Sequence, residues 1–301
     1  MLRSAGADGR CSLGISADFA SLVWPRAAFR ILVVNARMPA IARAPHLALA
    51  DADLVVEIDA PLVAESEPAP DAVTQTIAAS VAALVPNGAA VQCGIGGIPG
   101  ATWHFLSGHR DLVIASGMVT PPLRSLAEAG ALRDSGRHRA GIALGDPAFY
   151  AWLAEAGMVE MVPVTQSHDS AALARLDAFT AINSALEVDL FGQVNLEWRG
   201  RAAVSGVGGA PDFARAAVQS PGGRAITALR ATAGKGAISR IVPRLDAPTV
   251  SIPRSDVDTI VTEYGIAELR GRSAGERAAA LIAVAAPAHR DALERAWHEL
   301  R

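Results

Sequence analysis

The sequence predicts an α/β fold, a mainly parallel sheet with helices on both faces. Short apolar runs ending at glycine or polar residues alternate with helical spacings, and two glycine-rich loops follow predicted strands. Val73–Leu84 has the apolar spacing of a helix, and Asn87-Gly88 marks a turn. Ala89–Cys93 is a short apolar run ending at glycine, hence a buried strand. The loop Gly94–Gly100 follows, and then a helix through Trp103 and Leu106. Leu112–Ala115, Ile142–Leu144, Met161–Val164 and Ile226–Leu229 read as further buried strands, with helices over Leu123–Ala129 and Ala148–Ala156. Ala185–Leu190 and Gln193–Trp198 flank Phe191-Gly192 as a hairpin. The chain ends in a helix over Ala274–Ala285, Pro287 as a breaker, and a mixed-charge helix over His289–Leu300.

Ahead of this alternation, Phe29–Asn35 and Leu54–Ile58 read as strands, too few to close a domain alone. Ala64–Pro70, AESEPAP, is acidic and proline-bearing, which is linker chemistry. The expected organisation is therefore an N-terminal segment over 1–63 and a C-terminal α/β domain over 71–301.

Composition narrows the function. A chain of 301 residues with 51% hydrophobic content supports a sizeable core. With 27 basic and 30 acidic side chains the net charge is -3, which argues against nucleic acid as the main partner. Cys11 and Cys93 cannot form a Cys-only zinc site or a disulfide framework, so they are read as reduced thiols and no metal is expected. No segment reaches the ~18 apolar residues of a membrane span, and MLRSAGADGRCSLG lacks the apolar core of a signal peptide. A soluble, cytoplasmic protein without a membrane partner is the expectation.

The glycine loops carry the first chemical signal. Gly94-Ile95-Gly96-Gly97-Ile98-Pro99-Gly100 and Ser205-Gly206-Val207-Gly208-Gly209 each lead into a helix. Without β-carbons, backbone N–H groups can approach a ligand closely, and the helix N-terminus adds positive potential. Such loops suit a phosphate, a carboxylate or a thioester oxyanion. The first is not G-x-G-x-x-G, because Pro99 interrupts it, nor a Walker A loop. Taken singly, each is also what a tight strand-to-helix turn requires.

Four longer stretches add a resemblance. INSALEVDLFGQVN (Ile182–Asn195), SGVGGAPDFARAA (Ser205–Ala217), KGAISRIVP (Lys235–Pro243) and DVDTIVTEYGIAELRGRS (Asp256–Ser273) are similar, in order and spacing, to signature stretches of the acetyl-CoA hydrolase/4-hydroxybutyrate CoA-transferase family. VQCGIGGIPGA (Val91–Ala101), HRDLVIASGMV (His109–Val119) and CSLGISADF (Cys11–Phe19) fit the same pattern, so the resemblance covers nearly the whole chain.

The resemblance implies a NagB/RpiA/CoA-transferase-like α/β fold, with one complete domain and a partial N-terminal one. It implies coenzyme A or acyl-CoA as substrate or ligand, a small carboxylate as acceptor, and no metal. Family members attack the thioester with a glutamate carboxylate and pass CoA to a carboxylic acid or to water, which is covalent catalysis with backbone-stabilised oxyanions. Gly94, Gly96, Gly97, Gly206, Gly208 and Gly209 of the two loops are the candidate CoA-facing backbone. The resemblance adds Asn183, which reads alternatively as a buried amide satisfying turn backbone; Lys235 and Arg240 suit CoA phosphates and read equally as exposed loop charges.

Two departures bear on activity. Gly117 stands where the family's glutamate is expected, within Ala115-Ser116-Gly117-Met118, and glycine offers no attacking atoms. Relative to the family pattern the chain also starts late, so a homo-oligomer or a partner chain completing the N-terminal layer is expected. Ser116, beside the vacant position, is the rival nucleophile, against a reading as a strand serine. Glu187, Glu263 and Glu268 read as structural, and His138 and His168 as surface loop residues. The expected function is thus CoA transfer or thioester hydrolysis with altered chemistry, or a non-catalytic acyl-CoA-binding partner of an active homologue.

Overall fold

A computed structural model of the chain describes residues 9–65, 69–134 and 137–300. The first eight residues, searched above for a leader, and residues 66–68 of the Ala64–Pro70 linker lie outside the described residues. The chain packs as two units, Met1–Glu67 with Arg110–Asp169, and Pro68–His109 with Ser170–Arg301. Residues 110–169 therefore pack with the N-terminal segment.

The second unit is built on five strands in the order Gly265–Glu268, Thr259–Thr262, Arg224–Ala228, Thr180–Ser184, Ala90–Cys93. All neighbours run parallel except the Thr259–Thr262 and Gly265–Glu268 hairpin. Register aligns Cys93, Ile182, Ile226 and Thr259 in one row, each at most 2% exposed. Parallel strands need cover on both faces, which explains why their apolar runs are short and unbroken rather than alternating. Helix Ala72–Ala82 packs on the 224–228 and 259–262 strands, and helix Ala210–Gln219 on the 180–184 and 224–228 strands. Sequence sets the helix starts: Asp71 accepts from the Thr74 N–H at 2.9 Å, and Ser273 and Glu276 form a capping box.

Sequence reading missed the Thr180–Ser184 and Thr259–Thr262 strands. Their Thr, Asn and Ser side chains disguise two strands that are fully or largely buried, because those polar atoms are satisfied internally. The hairpin around Phe191-Gly192 is present, with shorter arms, Glu187–Asp189 and Val194–Asn195. Pro287 opens the last helix, Pro287–Glu299, where the missing N–H is not needed.

In the first unit, Val113–Val119, His138–Ala143 and Val159–Met161 form a parallel three-stranded array. The segment around Ser16 lies along its middle strand: Ala17 N–H donates to Gly141 O at 2.9 Å and Ala143 N–H to Ile15 O at 2.8 Å. Ile31–Asn35 pairs in parallel with Leu54–Ile58, and Cys11, Leu13, Leu32 and Val34 form a small core beneath them. Both cysteines are buried and lie outside any disulfide, and burial pushes the Cys93 thiol far above its ordinary value.

His138 corrects the expectation of a surface loop. It sits in the middle strand, 1% exposed, with Nδ1 accepting from the Ile114 N–H at 3.1 Å and Nε2 facing Arg133 O at 3.2 Å. The proton therefore belongs on Nε2, and burial holds the imidazole below its ordinary pKa and neutral. Among the described residues no helix is long and apolar enough to cross a membrane.

Candidate functional site

The first glycine loop leaves the Ala90–Cys93 strand at the carboxyl end of the parallel sheet, where open α/β sheets bind ligands. It is pinned to the end of the Thr180–Ser184 strand: Gly94 N–H donates to Ile182 O at 2.8 Å, and Ser184 Oγ donates to Ile95 O at 3.4 Å. A β-carbon on Gly94 would fall 2.5 Å from Asn183 Oδ1, and one on Gly96 2.8 Å from Ser184 Oγ. Gly96 also has φ +130°, a conformation that side chains rarely adopt. These two glycines allow the close approach of loop and strand, whereas Gly97 has open space at its Cβ position.

Helix Gly97–Phe105 begins at once. Its first intrahelical bond is Gly100 N–H to Gly96 O at 2.9 Å, so the N–H groups of Gly97 and Ile98 have no intrahelical acceptor, and Pro99 has no N–H to satisfy. Gly97 and Ile98 line a cavity of about 300 Å³ together with Ser184, Leu186, Arg230 and Arg240. Its lining thus combines the first residues of a helix, a serine, aliphatic residues and two arginines.

Arg240 is the informative cation. It is half-buried, and among the described residues no carboxylate lies within ion-pair distance of its guanidinium. Burial lowers its pKa first, then repulsion from Arg199 and Arg230, against the attraction of Glu187 and Glu263. It stays charged at neutral pH all the same. Arg230 is held by Asp71 at 2.9 Å. Glu187 accepts from Asn195 Nδ2 at 3.1 Å, and Glu263 accepts from the Ala231 N–H at 2.8 Å. A charge left over at a cavity wall invites an anionic ligand.

The structure thus brings Gly94, Gly96, Gly97, Asn183 and Arg240 together. Asn183 is 7% exposed and exchanges two amide hydrogen bonds, each 3.3 Å, with Gln92, so its side chain braces the loop. Gly206 and Gly208 are exposed, and Gly209 caps the Ala210–Gln219 helix; none of the three lines the cavity. Lys235 is exposed on a turn with φ +57° and does not line it either. Ser184, Ile98 and Arg230 were missed. Arg230 directly follows the predicted strand Ile226–Leu229, which is the signal that could have found it.

Gly117 and Ser116 lie in the first unit. Successive strand residues face opposite sides of a sheet, so Ser116, 1% exposed, points away from the Gly117 face. Its Oγ accepts from the Met118 N–H at 3.4 Å. The register pairs Gly117 with Gly141, between Ser116–Ala140 and Met118–Ile142. Among the described residues no cluster of three or more His, Cys, Asp or Glu side chains is placed to hold a metal ion.

The profile of the acetyl-CoA hydrolase/transferase C-terminal domain matches residues 145–297. A 4-hydroxybutyrate coenzyme A transferase of Clostridium kluyveri is 37% identical over 292 residues, covering 95% of this chain and 68% of that protein. The chain belongs to the acetyl-CoA hydrolase/transferase family. Two solved structures agree in fold. RipA from Yersinia pestis superposes with a TM-score of 0.93 at 33% identity, over 99% of this chain and 69% of that one. A 4-hydroxybutyrate CoA-transferase from Porphyromonas gingivalis gives 0.88 at 32% identity, over 100% of this chain and 74% of that one. The fold class expected from the sequence, an α/β CoA-transferase-like architecture with a mainly parallel sheet, is the one observed. For an acetyl-CoA hydrolase/transferase the relevant ligands are CoA thioesters, in keeping with a cavity lined by a helix start and by Arg240, which has no ion-pair partner among the described residues.

Proposed function

We propose that this chain binds an acyl-CoA at the Gly94–Gly100 loop and exchanges its acyl group with a small carboxylate or water, by a route that does not use the family's attacking residue. The observation that carries the reading is the cavity that Gly97 and Ile98, the first residues of a helix, line together with Arg240. Backbone donors aimed at one point stabilise a thioester oxyanion without reorganising, which is the largest single contribution in many acyl transfers. Arg240 suits a phosphate or carboxylate of the ligand. Gly94, Gly96 and Asn183 act by positioning the loop, and Gly206, Gly208, Gly209 and Lys235 serve a more distant, exposed part of the CoA.

Gly117 is the specific observation that favours a second reading, a non-catalytic acyl-CoA-binding subunit. A strand glycine offers no carboxylate, and Ser116 faces away from the Gly117 side. A second copy or another chain packed on the apolar Leu54–Val56 strand, whose residues are 39–46% exposed, belongs to the same proposal. Titration calorimetry with CoA and acetyl-CoA tests the core of it. Binding is expected, and Arg240→Ala should weaken it roughly tenfold, the loss of one charge-assisted contact of about 1.5 kcal/mol. No heat and no thermal shift at millimolar ligand would remove the reading.

A further inference from the structure

We propose that Asp18 supplies the reactive carboxylate that position 117 lacks, with Ser167 and His168 as its neighbours. The inference rests on the function proposed above, since it needs an acyl-CoA thioester as the substrate.

The geometry lies wholly within the first unit. Gly117 and Gly141 are cross-strand partners and so share one face of the parallel array. Two adjacent glycines leave that face without β-carbons. Polar atoms pack closely against it: the point where a Gly141 β-carbon would lie is 3.0 Å from Gly117 O, 3.1 Å from Asp18 Oδ1 and 3.4 Å from Ser167 Oγ. A carboxylate oxygen therefore sits within one side-chain length of Gly117, the distance a glutamate there would have spanned.

Asp18 is held in place by its backbone. Val164 N–H donates to Asp18 O at 2.8 Å, and Ala17 N–H donates to Gly141 O at 2.9 Å, which ties both sides of the residue to the array. Its side chain is free of such ties: Oδ1 is buried and has no hydrogen-bond partner among the described residues. Buried acceptors are nearly always satisfied, and an exception in a packed protein calls for an explanation such as a catalytic role. Glu187, Glu263 and Glu268, by contrast, are occupied by Asn195, by the Ala231 N–H, and by Arg224 and Thr259. The Asp18 residue as a whole is only half-buried. Desolvation raises its pKa, and the nearby His168 opposes the rise. His168 Nδ1 lies 2.9 Å from Ser167 Oγ, so imidazole, hydroxyl and carboxylate form one small polar cluster.

The chemistry balances without a further reactant. A carboxylate oxygen of Asp18 attacks the thioester carbonyl carbon, the C–S bond breaks, and its electron pair leaves on sulfur as CoA thiolate. This gives a mixed anhydride between the acyl group and Asp18. The thiolate then attacks Asp18 Cγ, the Cγ–O bond to the acyl group breaks, and the acyl group departs as a carboxylate. Asp18 is left as a thioester of CoA. An incoming carboxylate attacks Asp18 Cγ and expels CoA thiolate, giving a second mixed anhydride; the thiolate then attacks the incoming acyl carbon, the C–O bond to Asp18 breaks, and acyl-CoA and the free Asp18 carboxylate are released. With water in place of the carboxylate, the products are CoA thiol and the Asp18 carboxylate. Partly desolvated carboxylates do such work because ground-state solvation no longer masks the lone pair.

The test uses the full chain with acetyl-CoA and butyryl-CoA, borohydride to reduce any enzyme-bound thioester to an alcohol, and peptide mass spectrometry. Calorimetry of CoA binding is run on the same samples. The expected result is acyl-CoA-dependent reduction at Asp18 in the wild type and its loss in Asp18→Asn, an isosteric change that should preserve the fold and CoA binding. Reduction mapped to Glu187, Glu263 or another carboxylate overturns the assignment. Binding with no reduced residue overturns the inference alone, and absence of binding overturns the functional reading together with it.

Discussion

Replacing Gly96 and Gly97 in turn separates the folding role of the loop from its binding role. Gly96 combines φ +130° with ψ 162°, a region used almost only by glycine. Forcing alanine into it costs of order 1–3 kcal/mol. The new methyl would also sit 2.8 Å from Ser184 Oγ, so Ser184 must rotate and give up its bond to Ile95 O. That bond is long, and its loss adds at most about 1 kcal/mol. Gly96→Ala should therefore destabilise the protein by about 1–4 kcal/mol. Gly97 has no atom within 4 Å of its Cβ position and opens a helix, where alanine is better than glycine by roughly 0.5–1 kcal/mol. Gly97→Ala should be as stable as the wild type or slightly more so, yet its methyl enters the cavity and should weaken acyl-CoA binding roughly tenfold. Urea unfolding followed by far-ultraviolet circular dichroism, together with calorimetric titration, measures both. If Gly96→Ala unfolds at the wild-type urea concentration, backbone strain does not hold the loop. If Gly97→Ala binds acyl-CoA normally, the ligand lies elsewhere.

Three further outcomes follow from the same structure. His138 is held neutral by burial, so its folded pKa lies below the ordinary 6.5; the unfolded state binds the extra proton, and stability should fall as pH drops below about 6.5. Urea midpoints across pH 8 to 5 should show this slope, and His138→Asn, whose amide oxygen can still accept from the Ile114 N–H, should flatten it. Asp258, 5% exposed at its side chain, pairs with Arg270 and accepts from the Ala225 N–H at 3.0 Å. Asp258→Ala should destabilise the protein by about 1–3 kcal/mol, a value a denaturation series would check. Gly117→Glu should leave CoA binding intact and, in the borohydride experiment, move the reduced residue to position 117; reduction that stays at Asp18 alone would show that position 117 does not face the thioester.

What was legible in the sequence was the part governed by local rules. The Leu54–Ile58 strand, the helices near 72–82, 122–128 and 147–156, and the Phe191-Gly192 hairpin all announce themselves through period, caps and turn residues. The strands that escaped, Thr180–Ser184 and Thr259–Thr262, escaped because burial of Thr and Asn side chains depends on partners far along the chain. Gln92, which satisfies Asn183, is 91 residues away. The same limit governs the site. Gly94, Gly96 and Gly97 could be picked out from spacing, and Arg240 from a motif, but the reasons two of those glycines are required lie in Asn183 and Ser184. His138 and Asp18 make the point most sharply. A histidine beside an arginine reads as surface until Ile114 is seen to donate to it, and an aspartate in a short loop reads as ordinary until its oxygen is found buried and unpartnered beside two paired glycines. Local pattern can name the residues able to carry charge or form a turn, whereas the environment that perturbs them is made by chain segments brought together only in the fold. For that reason the family was readable in Ile182–Asn195 and Asp256–Ser273, while the carboxylate best placed to react came from a segment that, read alone, had offered only its likeness to the family.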